Sequence, residues 1–194
     1  MSFVITTWII SNSPPGFCMS TIYSFQPIVG NHAKILILGS MPGQASLAVN
    51  QYYAHPRNAF WPIIAQLLQI HADASYEEKI TALRASQIAL WDVLKSCQRT
   101  GSLDSMIETD TQAINDFESF FRANRKIIHV FFNGGKAETC FKRYVLPENN
   151  LDLLRFTRLP STSPANARLT FEDKCKIWHE MIHSALESGY PSPN

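Results

Sequence analysis

Four short stretches combine turn-forming residues with polar side chains that could do chemistry. They are GSMPG at 39–43, QYYAHPRNAFW at 51–61, FFNGG at 131–135 and STSPANAR at 161–168. In the first, Gly39 and Gly43 are expected to adopt backbone conformations closed to other residues and to let a ligand approach the main chain. Pro42 stiffens the turn and removes an N–H donor. An ordinary strand-to-helix turn would explain the same letters, with Ser40 and Met41 as filling. The stretch matches neither G-x-G-x-x-G nor the Walker pattern, so a nucleotide-phosphate cradle has little support. Nor is it a G-x-S-x-G elbow, which makes Ser40 a poor nucleophile.

The second stretch is unusually rich for a loop: Tyr52, Tyr53, His55, Arg57, Asn58, Phe60 and Trp61 crowd together. Aromatic rings beside an amide and a guanidinium suit a flat heterocycle joined to a phosphate. Each residue also has a plain structural explanation. Phe60 and Trp61 could be core, His55 could hold a structural hydrogen bond, and Asn58 could cap the helix that begins there. In the third stretch, Asn133 sits where an apolar run leaves its strand beside Gly134 and Gly135. It reads equally as a turn residue and as a recognition amide. In the fourth, Ser161, Ser163, Pro164 and Ala165 are small enough to press on a nucleic-acid backbone, and Arg168 could meet a phosphate.

The elements that must position these stretches follow from hydrophobic pattern. KILILG (34–39), IALWDVL (88–94) and KIIHVFFNGG (126–135) read as buried strands, the first on both faces, and LLRFTRLPS (153–161) reads as a fourth strand. Helical periodicity covers 58–70, 76–86, 109–123, 137–144 and a last helix opened by Thr170 and Asp173. Thr109 with Gln112 resembles a capping box, and residues 95–108 read as loop. Strands alternating with helices predict one α/β domain: a three-layer α/β/α sandwich around a four-stranded parallel sheet. Ligands of such sheets sit outside the carboxyl ends of the strands. The loops after the strands are GSMPG, the segment after WDV, NGG and STSPANAR; three of these four carry Gly or Pro plus polar side chains, and that convergence is the main functional clue.

Composition narrows the classes. A chain of 194 residues with 45% apolar residues can bury a core, and a net charge of +1 excludes a polycation. A protein gripping a short piece of DNA needs only a few basic residues on one face. Cys18, Cys97, Cys140 and Cys175 are widely spaced, with no C-x-x-C pair. No zinc site, iron–sulfur cluster or other cofactor is expected, and the thiols fit a reducing compartment. FVITTWII (3–10) is too short to span a bilayer and has no preceding basic residue, so no membrane segment is expected. Residues 1–18 are expected to be a disordered extension, and 19–190 the domain.

In this order, LGSMPG, QYYAHPRNAFWP, FNGG and STSPA resemble the uracil-DNA glycosylase superfamily, and most closely its hypoxanthine-DNA (deoxyinosine) glycosylase branch. The resemblance covers roughly residues 25–188, and its first block is long and specific. It implies the same α/β/α sandwich and removal of a damaged base flipped out of double-stranded DNA. GSMPG would line the base pocket near the reacting sugar, with His55 and Phe60 contributing, and STSPA would be the loop pressing the DNA. Other branches carry an acidic residue or Asn inside the first motif, where this chain has Ser40, Met41 and Pro42. Asn58 and Asn133 occupy the positions associated with activity in the hypoxanthine branch. Arg57, Ser161, Ser163, Pro164, Ala165 and Arg168 would contact DNA.

The reaction so implied is hydrolysis of an N-glycosidic bond, with positive charge on the sugar and negative charge on the departing base. No lysine falls in the first-motif or Asn58 segments, so a monofunctional enzyme without lyase activity is expected. An amide can donate to O6 of hypoxanthine and accept from N1–H, whereas adenine presents the reverse pattern. That discrimination holds only if the amide cannot rotate by 180°, and Gly134 and Gly135 could supply backbone groups to pin Asn133. Asn133 would read the base and Asn58 would position water or the departing base, or the two roles could be exchanged. A monomer working on the nucleoid in the cytoplasm is expected. The alternatives are a uracil or thymine mismatch glycosylase, a hydrolase using Ser40 and His55, and a nucleic-acid-binding module without activity.

Overall fold

The computed structural model describes residues 20–187. The expected 1–18 extension lies outside the described residues. Four strands, β2 (Ile35–Gly39), β3 (Ile88–Asp92), β6 (His129–Asn133) and β7 (Arg155–Leu159), form a parallel sheet in the order β3-β2-β6-β7. All four coincide with the predicted apolar runs, and every neighbouring pair is parallel.

Alternation along each strand explains the layers. Ile35 and Ile37 face one side of the sheet with Ile88, Leu90 and Phe131. There they meet α2 (Phe60–Leu68), α3 (Tyr76–Ala85) and α6 (Phe171–Glu187), which contribute Phe60, Ile63, Leu83, Trp178 and Ile182. Leu36, Leu38, Trp91, Val130 and Phe132 face the other side. They meet α4 (Phe117–Ala123) and α5 (Gly135–Tyr144) through Phe117, Phe120 and Phe141. Two apolar faces per strand require two helical layers, so the sandwich follows from the uninterrupted apolar runs.

Predicted caps have mixed fates. Ser75 and Glu78 close a capping box on α3 that the sequence reading did not single out. Thr170 and Asp173 do the same on α6, Thr170 Oγ1 accepting from the Asp173 N–H at 3.1 Å. The expected helix over 109–123 does not start at Thr109. Thr109–Thr111 is a single 3-10 turn, Ala113–Ile114 is a short strand (β5), and α4 begins only after Asp116, whose carboxylate accepts from the Ser119 N–H at 2.9 Å. On α6, Met181 is 41% exposed.

The segment read as loop after Val93 is also corrected. Leu94–Gln98 is β4, paired antiparallel with β1 (Thr21–Tyr23) and with β5 in a second, three-stranded sheet. Leu94 and Cys97 are buried, Lys95 is exposed and Ser96 and Gln98 are half-buried, a pattern broken by the irregularity between Leu94 and Ser96 and unlike the continuous runs of the main sheet. Only Val93 separates β3 from β4. The Val93 N–H donates to Gly39 O at 2.9 Å and the Leu94 N–H to Ser40 O at 3.1 Å, so the point where the chain changes sheets also anchors GSMPG.

Candidate active site

The carboxyl ends of β2, β3 and β6 open into a cavity of about 700 Å³. All five residues of GSMPG line it, together with His55, Arg57, Asn58, Asn133, Ser161, Ser163, Pro164 and Ala165. Thirteen of the fifteen residues singled out from the sequence therefore converge on one space. Phe60 does not line it: it is fully buried, and its ring stacks on Tyr53 at 4.0 Å between centroids. Tyr52 and Tyr53 are the rings that line the cavity, and Tyr53 has a left-handed backbone (φ 53°). Arg168 is exposed and lies off the cavity wall.

GSMPG is held by side chains from the stretch read as loop. Ser40 Oγ donates to Asp104 Oδ1 at 2.6 Å. The Arg99 guanidinium is buried, donating from Nη2 to Pro42 O at 2.5 Å and from Nε to Gly101 O at 2.9 Å. α1 (Gln44–Val49) then continues from Gly43, the Gln44 N–H donating to Ser102 Oγ at 3.0 Å. Neither Gly39 nor Gly43 has positive φ, which corrects the expectation of special backbone geometry there. A Cβ on Gly43 would meet only ordinary contacts with Ser102. At Gly39 the reason for glycine is space: a Cβ would lie 2.3 Å from Asp92 Oδ1 and 2.8 Å from the Tyr53 hydroxyl.

Asp92, the last residue of β3, is only 2% exposed and lines the cavity. Its Oδ2 has no hydrogen-bond partner, and neither has the buried Tyr53 hydroxyl. Burial, reinforced by the nearby charge of Asp104, pushes the Asp92 carboxyl up to about 8, so it is largely neutral at physiological pH. Asp104 is also raised by burial, an effect opposed by its bond from Ser40. Burial, with Asp92 as a second cause, raises the Tyr53 phenol further above its ordinary range.

Asn133 is held at both ends of its amide by Thr162. Asn133 Oδ1 accepts from the Thr162 N–H at 2.9 Å and Nδ2 donates to Thr162 Oγ1 at 2.8 Å. The pin expected from Gly134 and Gly135 comes from Thr162 instead. Those glycines serve the turn: Gly134 has φ 95°, and a Cβ there would come within 2.9 Å of Ser161 Cβ. Thr162 O also accepts from the Ala59 N–H at 3.0 Å, tying the second and fourth stretches together. Asn58 does not cap α2 in the expected way. Its Oδ1 accepts from the Phe60 N–H at 3.0 Å, two residues on, while its amide nitrogen makes no hydrogen bond. His55 Nδ1 accepts from the Arg57 N–H at 3.1 Å, the structural bond foreseen for it.

The sequence reading missed Asp92, Asp104 and Arg99 as parts of the site, and it named Tyr53 and quoted Thr162 within STSPA without giving either a role of its own. A signal existed for Asp92 alone: an ionisable residue closing an otherwise apolar strand at its carboxyl end, where ligands of parallel sheets bind. Among the described residues, no group of three His, Cys, Asp or Glu is placed to hold a metal. No helix there is long and apolar enough to cross a membrane.

A cavity at the strand ends, lined by Arg57, by small-residue loops and by the polar side chains of Asp92, Asp104 and Asn133, defines an α/β protein with its candidate site outside the carboxyl ends of a parallel sheet. The family model of the uracil DNA glycosylase superfamily matches residues 27–182. The chain belongs to that superfamily and is a DNA glycosylase acting on DNA. It is 35% identical over 114 residues to the hypoxanthine DNA glycosylase of Methanosarcina barkeri, and 38% identical over 114 residues to that of Methanosarcina acetivorans. Each match covers 58% of this chain and 71% of the relative. A solution NMR structure from M. acetivorans, described as a uracil DNA glycosylase, superposes with a TM-score of 0.68 at 30% identity. It covers 84% of this chain and all of that one.

Proposed function

We propose that the protein is a monofunctional glycosylase that hydrolyses the N-glycosidic bond of deaminated bases in double-stranded DNA, chiefly hypoxanthine, in base excision repair. The observation that carries the reading is the pinned amide of Asn133. Rotating it by 180° would leave the Thr162 N–H facing an amide NH2, an unmade bond costing about 1–3 kcal/mol. In its held orientation Asn133 has one N–H and one carbonyl lone pair beyond those Thr162 uses, and either can be offered to hypoxanthine, the N–H to O6 or the lone pair to N1–H. The names of the two archaeal relatives support the same substrate.

Asn58, with its oxygen engaged by Phe60, offers N–H donors to the cavity, suited to negative charge developing on the departing base. The base would enter flipped from the duplex. Arg57, exposed on the cavity lining, and Arg168 outside it would meet phosphates flanking the flipped nucleotide, and Ser161, Ser163, Pro164 and Ala165 would press on the backbone. No lysine lines the cavity to form a Schiff base, so the product is an intact abasic strand. A monomer on the cytoplasmic nucleoid completes the reading.

The test is base release from labelled duplexes carrying inosine, uracil, xanthine or thymine opposite guanine. Release is expected to be fastest for inosine, with strand cleavage only after alkali. Faster release of uracil or thymine would replace this reading with a mismatch glycosylase.

A further inference from the structure

The reading above leaves Asp92 without a role, although it is the most deeply buried ionisable group lining the cavity. It sits against Gly39 of the first motif, with Oδ2 unpartnered. A buried carboxyl without a partner is unfavourable in the empty protein, and such a group persists where a ligand completes it. Asn133 is committed to the O6 and N1 edge, so the acceptors left on a purine are the bare ring nitrogens N3 and N7. Neither can be served by another acceptor, but a neutral carboxyl can donate to either.

Resting on the hypoxanthine reading, we propose that Asp92 is the general acid that protonates the departing purine at N7 or N3 as the glycosidic bond breaks. The N9–C1′ electron pair moves into the purine ring while the Asp92 O–H bond breaks and an N–H bond forms on the ring nitrogen. Water forms the new C1′–O bond, and its surplus proton passes to the Asp92 carboxylate, regenerating the acid. Hypoxanthine leaves neutral and the sugar gains a hydroxyl, so nothing beyond water is consumed.

The surroundings keep Asp92 in the donor state. Burial comes first and the Asp104 charge second, with Arg99 opposing them weakly. The two tyrosines near it, Tyr52 and Tyr53, are themselves held protonated by burial. An acid poised near neutrality is the form in which general acid catalysis is most effective, with contributions of roughly 100- to 10,000-fold.

The experiment combines Asp92→Asn with duplexes carrying 7-deazahypoxanthine or 3-deazahypoxanthine, read by single-turnover base release from pH 6 to 10. With inosine, the wild type should lose rate as pH rises through about 8. Asp92→Asn should be slower by roughly 100-fold or more and lack that limb. One deaza analogue should bring the wild type down to the variant's rate and remove its limb, while leaving the variant unchanged. The loss of the limb with one analogue and not the other is read within the wild type, so it stands even if the variant folds poorly. Equal losses in wild type and variant with both analogues, or a limb that persists with both, would overturn the proposal. Failure of the wild type to release hypoxanthine at all would sink the underlying reading, and this assignment with it.

Discussion

The carboxyl of Asp92 and the α-carbon of Gly39 stand against each other so closely that a methyl group on Gly39 would lie 2.3 Å from Asp92 Oδ1. The two residues are register partners on adjacent parallel strands. Gly39→Ala should therefore force the Asp92 side chain or the Tyr53 ring aside. Overpacking of this kind costs about 1–3 kcal/mol. Urea unfolding should show that loss, and base release should fall by more than the stability change accounts for. Gly43→Ala, which meets only ordinary contacts, should leave both nearly unchanged.

Stability should depend on pH through Asp92. Its folded-state value is about 8 against an ordinary 3.8, so the folded protein holds this proton more tightly than the unfolded chain. Stability is then greatest near pH 4 for this group and falls as pH rises to about 8, with a slope of up to about 1.4 kcal/mol per pH unit. Asp104, also raised, acts in the same direction. Asp92→Asn should flatten the slope and be more stable than the wild type at pH 8. Denaturation midpoints across this range decide the matter: parallel curves for the two proteins would contradict the assignment.

Asn58 and Asn133 should separate in stability though both matter for cleavage. Asn133→Ala leaves the backbone N–H of the nearly inaccessible Thr162 without its acceptor, so unfolding free energy should drop by about 1–3 kcal/mol along with the rate. Asn58→Ala removes one local, part-exposed bond to Phe60, so stability should change by about 1 kcal/mol or less while single-turnover cleavage still falls sharply. Normal cleavage in both variants would remove them from the mechanism.

Arg57 and Arg168 should act on binding alone. Replacing either with Ala should weaken affinity alike for every sequence and reduce the slope of log K against log salt by about 1. Fluorescence anisotropy at several salt concentrations measures this. Arg57, which lines the cavity, should also raise the enzyme concentration needed to saturate cleavage more than Arg168, which does not.

The sheet was legible because β2, β3 and β6 are largely apolar runs, a pattern that burial on both faces produces, whereas β7, with Arg155, Thr157 and Arg158, is a more exposed edge strand. The order of motifs placed most of the cavity wall as well, since three of the four stretches follow strand ends. What escaped was the support. Arg99 and Asp104 lie in a stretch with scattered Ser and Gly101, and no local pattern announces that they reach back to Pro42 and Ser40. Phe60 was misplaced because an aromatic ring facing a cavity and one stacked behind it have the same spacing. The box expected at Thr109 failed because capping residues need a following helix, and Ala113–Ile114 pairs with β4 instead.

Thr162 bears on the order in which the molecule is made. It follows the last strand of the sheet, yet it bonds to Asn133 on the preceding strand and to Ala59 from the first third of the chain. The wall of the cavity thus closes only when the final strand has docked. Until then Asn133 and the segment before α2 remain separately hydrated, and the chain emerging during synthesis carries no half-formed site able to hold a base.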